Sequence, residues 1–474
     1  MESATSYDEW LAAAIARDER SGAGRWKEQD ASSRYDYRII RRRLDELQAL
    51  RRDGDPHALL FCLNEGIHGN MGGIGSAAMY GKAKSGTKNL ITEYLRTTAG
   101  ALRQIAATPD DVIPFLEKLE FFRRASLCFG RSALMLSGGG ALGPFHVGVV
   151  KALHEQGLLP EVISGASAGS IVAAVVGTQS DETLTQLFDA KSLARAFQDF
   201  GDEGVETLKP NQRMSVDSVR SVIESLIPDM TFAEAFEATG RKINVSVSPR
   251  EVHQKSRLLN AVTSPNVMIR EAVLASCAIP GIYPPVTLAA RNAAGERVPY
   301  VPSRQWVDGS VTDDLPAKRL SRLYGANHFI TSQTNPVVLW RITDPDSDDL
   351  LVRGWNIYQN AMKQWFRATY PFAVAATKNL YPLNLITRMT YSVAVQDYTA
   401  DINILPRRRF WDPRKLLSAL DEHDTRYLIR EGELATWPRI EMIRNCTEVS
   451  RALDAVLDPL ETRYANQRAV LHAV

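Results

Sequence analysis

Three short stretches carry residue types that together could activate a hydroxyl against an acyl carbonyl. The first is Gly165-Ala166-Ser167-Ala168-Gly169, a serine in a G-x-S-x-G turn. Val162 and Ile163 before it favour a strand, and the small apolar run after it suits a helix. The pattern therefore expects strand, sharp turn and helix, with Ser167 at the apex. A serine there exposes its Oγ and sits at a helix N-terminus, where developing negative charge is favoured. The flanking glycines are read as places where a Cβ would strike the neighbouring strand or helix. Glycine and serine are common enough that the turn alone decides little.

The second stretch lies upstream, Ser137 followed by Gly138-Gly139-Gly140-Ala141-Leu142-Gly143. Its G-x-G-x-x-G spacing is also that of a dinucleotide-binding loop. Such a loop needs an acid about 20 residues on, at the end of the next strand, to hold a ribose hydroxyl. Here Ser164 and the serine turn occupy that place, and Glu161 stands at the strand's beginning. The preferred reading is an oxyanion hole, in which the backbone amides of residues 138 to 143 converge on the oxygen that turns negative during attack.

The third is Trp306-Val307-Asp308-Gly309-Ser310. A serine hydroxyl needs a partner to take its proton, and a partly desolvated carboxylate can serve. Trp306 would supply apolar surroundings for Asp308. His328 follows Asp308 in the order of a hydrolase triad, but it lies inside the strand-like NHFITSQ. His146, just past the glycine loop, reads as a packed histidine that steadies the loop.

The surrounding elements must position these residues. From Ala133 onward strand and helix alternate, which predicts an α/β sheet with parallel strands. Strands are expected at Ala133–Leu136, Ile243–Ser248, Val286–Ala289, His328–Ser332 and Thr399–Leu405. Helices are expected at Val267–Cys277 and, as insertions, at Thr183–Gly201 and Val216–Ile227. Residues 1–128 read as a separate helical domain. There Ile40, Leu44, Leu47 and Leu50 recur at helical spacing before an Asp53-Gly54-Asp55-Pro56 stop. Its further helices are expected at Leu90–Ala106 and Asp110–Arg123, the latter opening on the acids Asp110 and Asp111. The glycine-rich run from Gly66 to Gly75 lacks the order of a phosphate loop and reads as turns. Residues 129–335 form the expected core, and 336–474 a mixed C-terminal extension with two helices between Pro413 and Leu457.

Composition narrows the class. In 474 residues the formal net charge is +1, which makes no case for nucleic acid. Four scattered cysteines without a C-x-x-C pair argue against a disulfide framework or a zinc site. The N-terminus lacks a signal-peptide pattern, and no apolar run reaches the roughly 18 residues of a membrane span. A cytoplasmic or peripheral membrane location is expected. Between Leu350 and Gln396 stand Arg353, Lys363, Arg367, Lys378 and Arg388 without an acid, interleaved with aromatics including Trp355, Trp365 and Tyr370. That mixture suits contact with a membrane or lipid-droplet surface.

With these residues in hand, the chain resembles the patatin-like phospholipases. The glycine loop, the G-x-S-x-G turn and Asp308-Gly309 occur in that family's order. The segments LLFCLNEGIHGNMGGIGSAAMYGKAKSGTKNLI, ASCAIPGIYPPV, WVDGSVTDDLP and NHFITSQTNP resemble its branch that holds the intracellular triacylglycerol lipases of yeasts and plants and their bacterial relatives. The resemblance spans roughly residues 8 to 450. It implies a patatin-like α/β core behind an N-terminal helical domain, and a Ser–Asp dyad carried onto Ser167 and Asp308. It also implies hydrolysis of acyl lipids, without metal or cofactor, with triacylglycerol the leading substrate. Phospholipase A activity, acyl transfer to a lysophospholipid and a non-catalytic lipid-surface scaffold are the alternatives. Two positions depart from many patatins: Leu142 stands where Arg or Lys is common, and Ser310 where Ala or Gly follows Asp-Gly. The second is expected to change little.

Overall fold

The computed structural model describes residues 1–188, 191, 193, 214–251, 254–335, 339, 400–407 and 417–472. The basic aromatic stretch from Leu350 to Gln396 lies outside them, as does most of the insertion expected to run to Gly201. The N-terminal helices are α1 (Tyr7–Ser21), α2 (Ala23–Glu28), α3 (Tyr37–Asp53), α4 (Pro56–Gly66), α5 (Asn89–Ala107) and α6 (Phe115–Phe129). Strand β1 (Arg131–Leu136), α7 (Gly143–Glu155), β2 (Val162–Gly165), α8 (Ala168–Thr178) and α9 (Asp181–Leu187) follow. Next come α10 (Val216–Leu226), α11 (Phe232–Thr239), β3 (Lys242–Pro249), β4 (Arg257–Asn260) and α12 (Ile269–Ser276). The chain continues through β5 (Ala289–Arg291), β6 (Arg297–Pro299), β7 (Trp306–Asp308), α13 (Ser310–Asp313), α14 (Ala317–Tyr324) and β8 (Ala326–Ser332). It ends with β9 (Ile402–Ile404), α15 (Glu422–Thr436) and α16 (Ile440–His472).

The chain divides into two compact units, one of Met1–Ser132, Gly325–His328 and Trp437–Val474, the other of Ala133–Tyr324 and Phe329–Thr436. In the first, α3 buries Ile40, Leu44 and Leu47 completely, as their spacing predicts. Gly54 closes α3 at φ 74°, and Asp55 caps α4 through the amides of His57 and Ala58. Helix α6 starts at Phe115, later than the sequence suggests. Pro114 disfavours helical geometry at the residue before it, so Asp110 precedes the helix and pairs with Lys118 at 2.7 Å instead. Lys88 is fully buried. Its ammonium donates to the carbonyls of Trp26 (2.6 Å) and Gln29 (2.7 Å) and lies 4.3 Å from the Trp26 ring centre. It ties the loops together.

The expected C-terminal extension does not form a body of its own among the described residues. Helix α16 packs on α5 and α6, buries Ile443, Val449 and Leu453 and is held by Arg123–Glu461 (2.6 Å) and Arg131–Asp454 (2.9 Å) ion pairs. It completes the helical unit because its apolar stripe finds cover there. Helix α15 belongs to the other unit.

That second unit carries a seven-stranded sheet of order β4-β3-β2-β1-β8-β9, with β7 also paired to β3. Strands β1, β2 and β3 pair in parallel, as do β8 and β9, whereas β4 and β7 run antiparallel to β3. The sheet is thus mainly parallel, as expected, with its order reversing at β1. The strand expected at Val286 begins only at Ala289, and Val286 makes a single bridge to Trp306. Pro284 and Pro285 have no amide to donate to a ladder there.

Helix α15 lies close on α7. A Cβ on Gly148 would stand 1.9 Å from the Ile429 carbonyl oxygen, and one on Gly432 would stand 2.2 Å from that of Phe145. Lys151 pairs with Glu433 across the contact at 2.6 Å. Gly148→Ala should therefore force the helices apart and cost about 1–3 kcal/mol. Urea unfolding would measure this, and a midpoint equal to that of the parent would mean the contact yields freely.

Candidate active site

Strand β2 ends at Gly165 and α8 begins at Ala168, so the chain reverses within two residues. Ser167 takes φ 51° and ψ −124°, a conformation that L-residues hold only when the surroundings enforce it. Cβ atoms on the flanking glycines would meet backbone, Gly165 at 2.2 Å from the Gly169 carbonyl oxygen and Gly169 at 2.3 Å from that of Leu136. Several hydrogen bonds fasten the turn. The Ala166 amide donates to Leu136 O at 3.2 Å, and the Ser170 amide to Ser167 O at 2.8 Å. The Ser167 amide donates to Ser276 Oγ at 2.9 Å, and that hydroxyl donates to Ser246 O at 2.8 Å. Ser276, at the end of α12, is a supporting residue that local sequence patterns do not mark.

Asp308 ends β7, paired across from Val247 on β3. Because β3 lies beside β2, this antiparallel strand delivers the carboxylate next to the elbow. Gly309 fits tightly over the Ser246 backbone, where a Cβ would come within 2.3 Å. The Asp308 carboxyl is 1% exposed and lies where the Ser167 side chain favours its charged form. Burial pushes its pKa up to about 6, against the opposing pull of hydrogen bonds from Ser310 and of the Ser167 hydroxyl. The Ser310 amide donates to Oδ1 at 2.7 Å, and its side chain also hydrogen-bonds the carboxyl. Ser310 is thus a direct partner of Asp308, more than the minor departure its size suggested.

The glycine loop leaves β1 where the strand order reverses, the position at which open α/β sheets bind ligands. Three of its six amides are already engaged. That of Gly138 donates to Asp314 Oδ1 at 2.7 Å, that of Leu142 to Gly139 O at 3.1 Å, and that of Gly143 to Gly140 O. Among the described residues no partner is recorded for the amides of Gly139, Gly140 and Ala141. Leu142 is buried with Leu420 and Leu428, and Ala141 packs against the same cluster. A cation at 142 would lie in that apolar contact, which accounts for the departure.

Two buried side chains hold the loop from below. His146 is fully buried, with Nε2–H donating to Ser137 O (2.9 Å) and Nδ1 accepting from Ser332 Oγ (2.7 Å). Burial pushes its pKa down to about 4, so the ring is neutral. It is a loop support, as expected. Asp314, which the sequence reading passed over within DGSVTDDLP, accepts from the Gly138 amide and, at 3.3 Å, from Asn335 Nδ2. Burial, with the Asp308 and Asp313 charges, pushes it up to about 8. His328 meets Ser132 Oγ at 2.9 Å near the start of β1, the strand end opposite the elbow.

A cavity opens at Ser167 and is lined almost wholly by apolar side chains. Gly140 and Ala141 border it at the loop, α8 forms one long wall, and Leu417, Ser418, Leu420 and Thr425 enclose it from the C-terminal part of the unit. A strained buried serine, a desolvated carboxylate, unengaged amides and an apolar cavity are arranged for acyl chemistry on a hydrophobic chain.

Comparison with known proteins places the chain. Residues 134–320 match the family described as patatin-like phospholipase, and residues 1–127 match a domain of unknown function (DUF3336). The fission-yeast triacylglycerol lipase ptl3 (Schizosaccharomyces pombe) is 33% identical over 94% of this chain and 93% of its own. The chain belongs to the patatin-like phospholipase family. Triacylglycerol lipase 4 of Saccharomyces cerevisiae is 32% identical over 97% of this chain, which spans 52% of that protein. Triacylglycerol lipase SDP1L of Arabidopsis thaliana is 30% identical over 96%, with 57% of its length covered. This patatin-like protein is accordingly an ester hydrolase.

In this patatin-like enzyme Asp314 should act through the loop. Asp314→Ala leaves the Gly138 amide buried without its acceptor, at a cost of about 1–3 kcal/mol. Displacement of the loop should lower kcat by about tenfold to a hundredfold. Asp314→Asn retains an acceptor oxygen and should stay within a few-fold of the parent. Urea midpoints and ester turnover measure both, and equal kcat for the two variants would remove Asp314 from this role.

Proposed function

We propose that the enzyme is a triacylglycerol lipase working through a Ser167–Asp308 dyad. The observation that carries the dyad is the Ser167 hydroxyl beside a carboxylate that burial has made more basic. Asp308 takes the proton as Ser167 Oγ bonds to the ester carbonyl carbon, and the carbonyl oxygen becomes an oxyanion. In this reading the amides of Gly139, Gly140 and Ala141 receive that charge; Gly140 and Ala141 border the cavity together with Ser167. When the intermediate collapses, the C–O bond to the alcohol breaks and Asp308 returns its proton to the leaving oxygen. A water molecule then loses a proton to Asp308, attacks the acyl-serine and releases the fatty acid. Asp308 returns the proton to Ser167.

The apolar cavity at Ser167 and the names of the relatives support that substrate. Insoluble acyl lipid also requires docking on a membrane or lipid-droplet surface. In the loop Ala278–Pro285, Ile279 and Tyr283 line the cavity while Ile282 between them is 40% exposed. That apolar residue beside the cavity wall supports interfacial contact.

A fluorophosphonate probe should label the wild type and leave Ser167→Ala unlabelled, and labelling of the alanine variant would place the nucleophile elsewhere. Asp308→Asn should lower kcat by about 10²–10⁴-fold, the usual contribution of acid–base catalysis. Because Asp308 must be ionised to act as base, kcat/KM should rise with pH through about 6. Ser310→Ala removes a hydrogen bond that favours the charged form, so this limb should move to higher pH. A limb that stays in place would show that Asp308 does not govern it. On emulsions, release of fatty acid from triacylglycerol should exceed that from phospholipid, and the reverse order would reassign the substrate.

A further inference from the structure

The cavity has a direction and a length. On α8 its lining residues are Ala168, Ile171, Val172, Val175 and Val176, the spacing of a single helix face that begins beside Ser167. Two contacts identify the far end. Gln179, just past α8, donates from Nε2 to Leu226 O at 3.3 Å, which places lining residue Leu226 of α10 there. His154, at the last turn of α7, meets the ring of lining residue Phe188 at 5.7 Å between centres. Helix α7 itself borders the cavity only near its start, through Gly143, Pro144 and Val147. The space therefore runs down α8 from the serine to Val176, with Leu226 and Phe188 at its floor.

We infer that this wall measures the acyl chain, enclosing about its first ten carbons from the ester carbonyl in an extended conformation. The inference rests on Ser167 being the nucleophile. Ser167 and Val176 are nine residues apart, about 13.5 Å at the α-helical rise. An extended hydrocarbon advances ~1.25 Å per carbon, given bonds near 1.5 Å at tetrahedral angles, so the wall matches ten to eleven carbons. Carbons within that length leave water for an apolar surface, and those beyond it gain nothing further from α8 or its floor.

Alkyl fluorophosphonates of two to sixteen carbons, used below their aggregation concentrations, test the ruler on the whole protein. The second-order labelling rate of Ser167 should rise by up to about fourfold per methylene, the value of a fully buried CH₂, and level off near ten carbons. Val172→Phe, five residues or ~7.5 Å down the helix, should bring the plateau to about six carbons. Leu226→Ala should open the floor and carry the rise one or two carbons further. A wild-type rate that climbs unbroken to sixteen carbons, or that ignores chain length, overturns the ruler without any variant. So does a plateau that neither substitution moves. If even the shortest probe fails to label the wild type, the nucleophile assignment has failed instead.

Discussion

The structure depends on one buried contact, the side chain of Ser167 against the carboxyl of Asp308. In water a carboxylate is too weak a base to draw a proton from a serine. Enclosed and 1% exposed, Asp308 is pushed up to about 6, which narrows that gap while leaving it ionised at neutral pH. Ser310 sets the limit to this trade, because its hydrogen bonds keep the charged form from becoming too costly. The sheet supports the contact from both sides. The parallel β2 ends in the elbow, and the antiparallel β7 returns along β3 to present the acid.

The loop proposed to receive the developing charge is held by groups that never need to meet the substrate. His146 grips the Ser137 carbonyl and Asp314 grips the Gly138 amide. With those anchors spoken for, the loop can leave the next amides unengaged without collapsing on itself. Buried polar groups are costly unless paired, and this network pairs the amide and carbonyl just before the glycines that are to serve. A neutral imidazole and a carboxyl shifted to about 8 keep fixed charge away from Asp308.

The stretch matching the patatin-like description ends at residue 320, yet the cavity does not. Leu417, Ser418, Leu420 and Thr425 help to enclose it, and Leu420 and Leu428 pack on Leu142 of the glycine loop. Helix α15 reaches that place because Gly148 and Gly432 let it approach α7 closely. A leucine at 142 and an apolar wall from the C-terminal part are two sides of one contact.

The sequence by itself determined the parts whose signals are local. G-x-S-x-G forces a turn because no side chain fits beside it, and the alternation from Ala133 onward dictates a parallel sheet. A serine's need for a proton acceptor made Asp308, beside Trp306, a candidate base, and the place of His328 inside a strand pointed away from a triad. Identity also reached some packing, such as Ile40, Leu44 and Leu47 on α3. What it could not reveal were meetings between residues distant along the chain. Ser276 under the elbow and Asp314 under Gly138 carry no local pattern, since hydrogen bonds spanning 109 and 176 positions exist only once the sheet has formed. The last helix likewise joined the N-terminal unit because an apolar stripe is satisfied by whichever surface lies near it. Tertiary structure alone decided how basic Asp308 is, because desolvation depends on everything packed around a carboxyl and not on its neighbours in sequence.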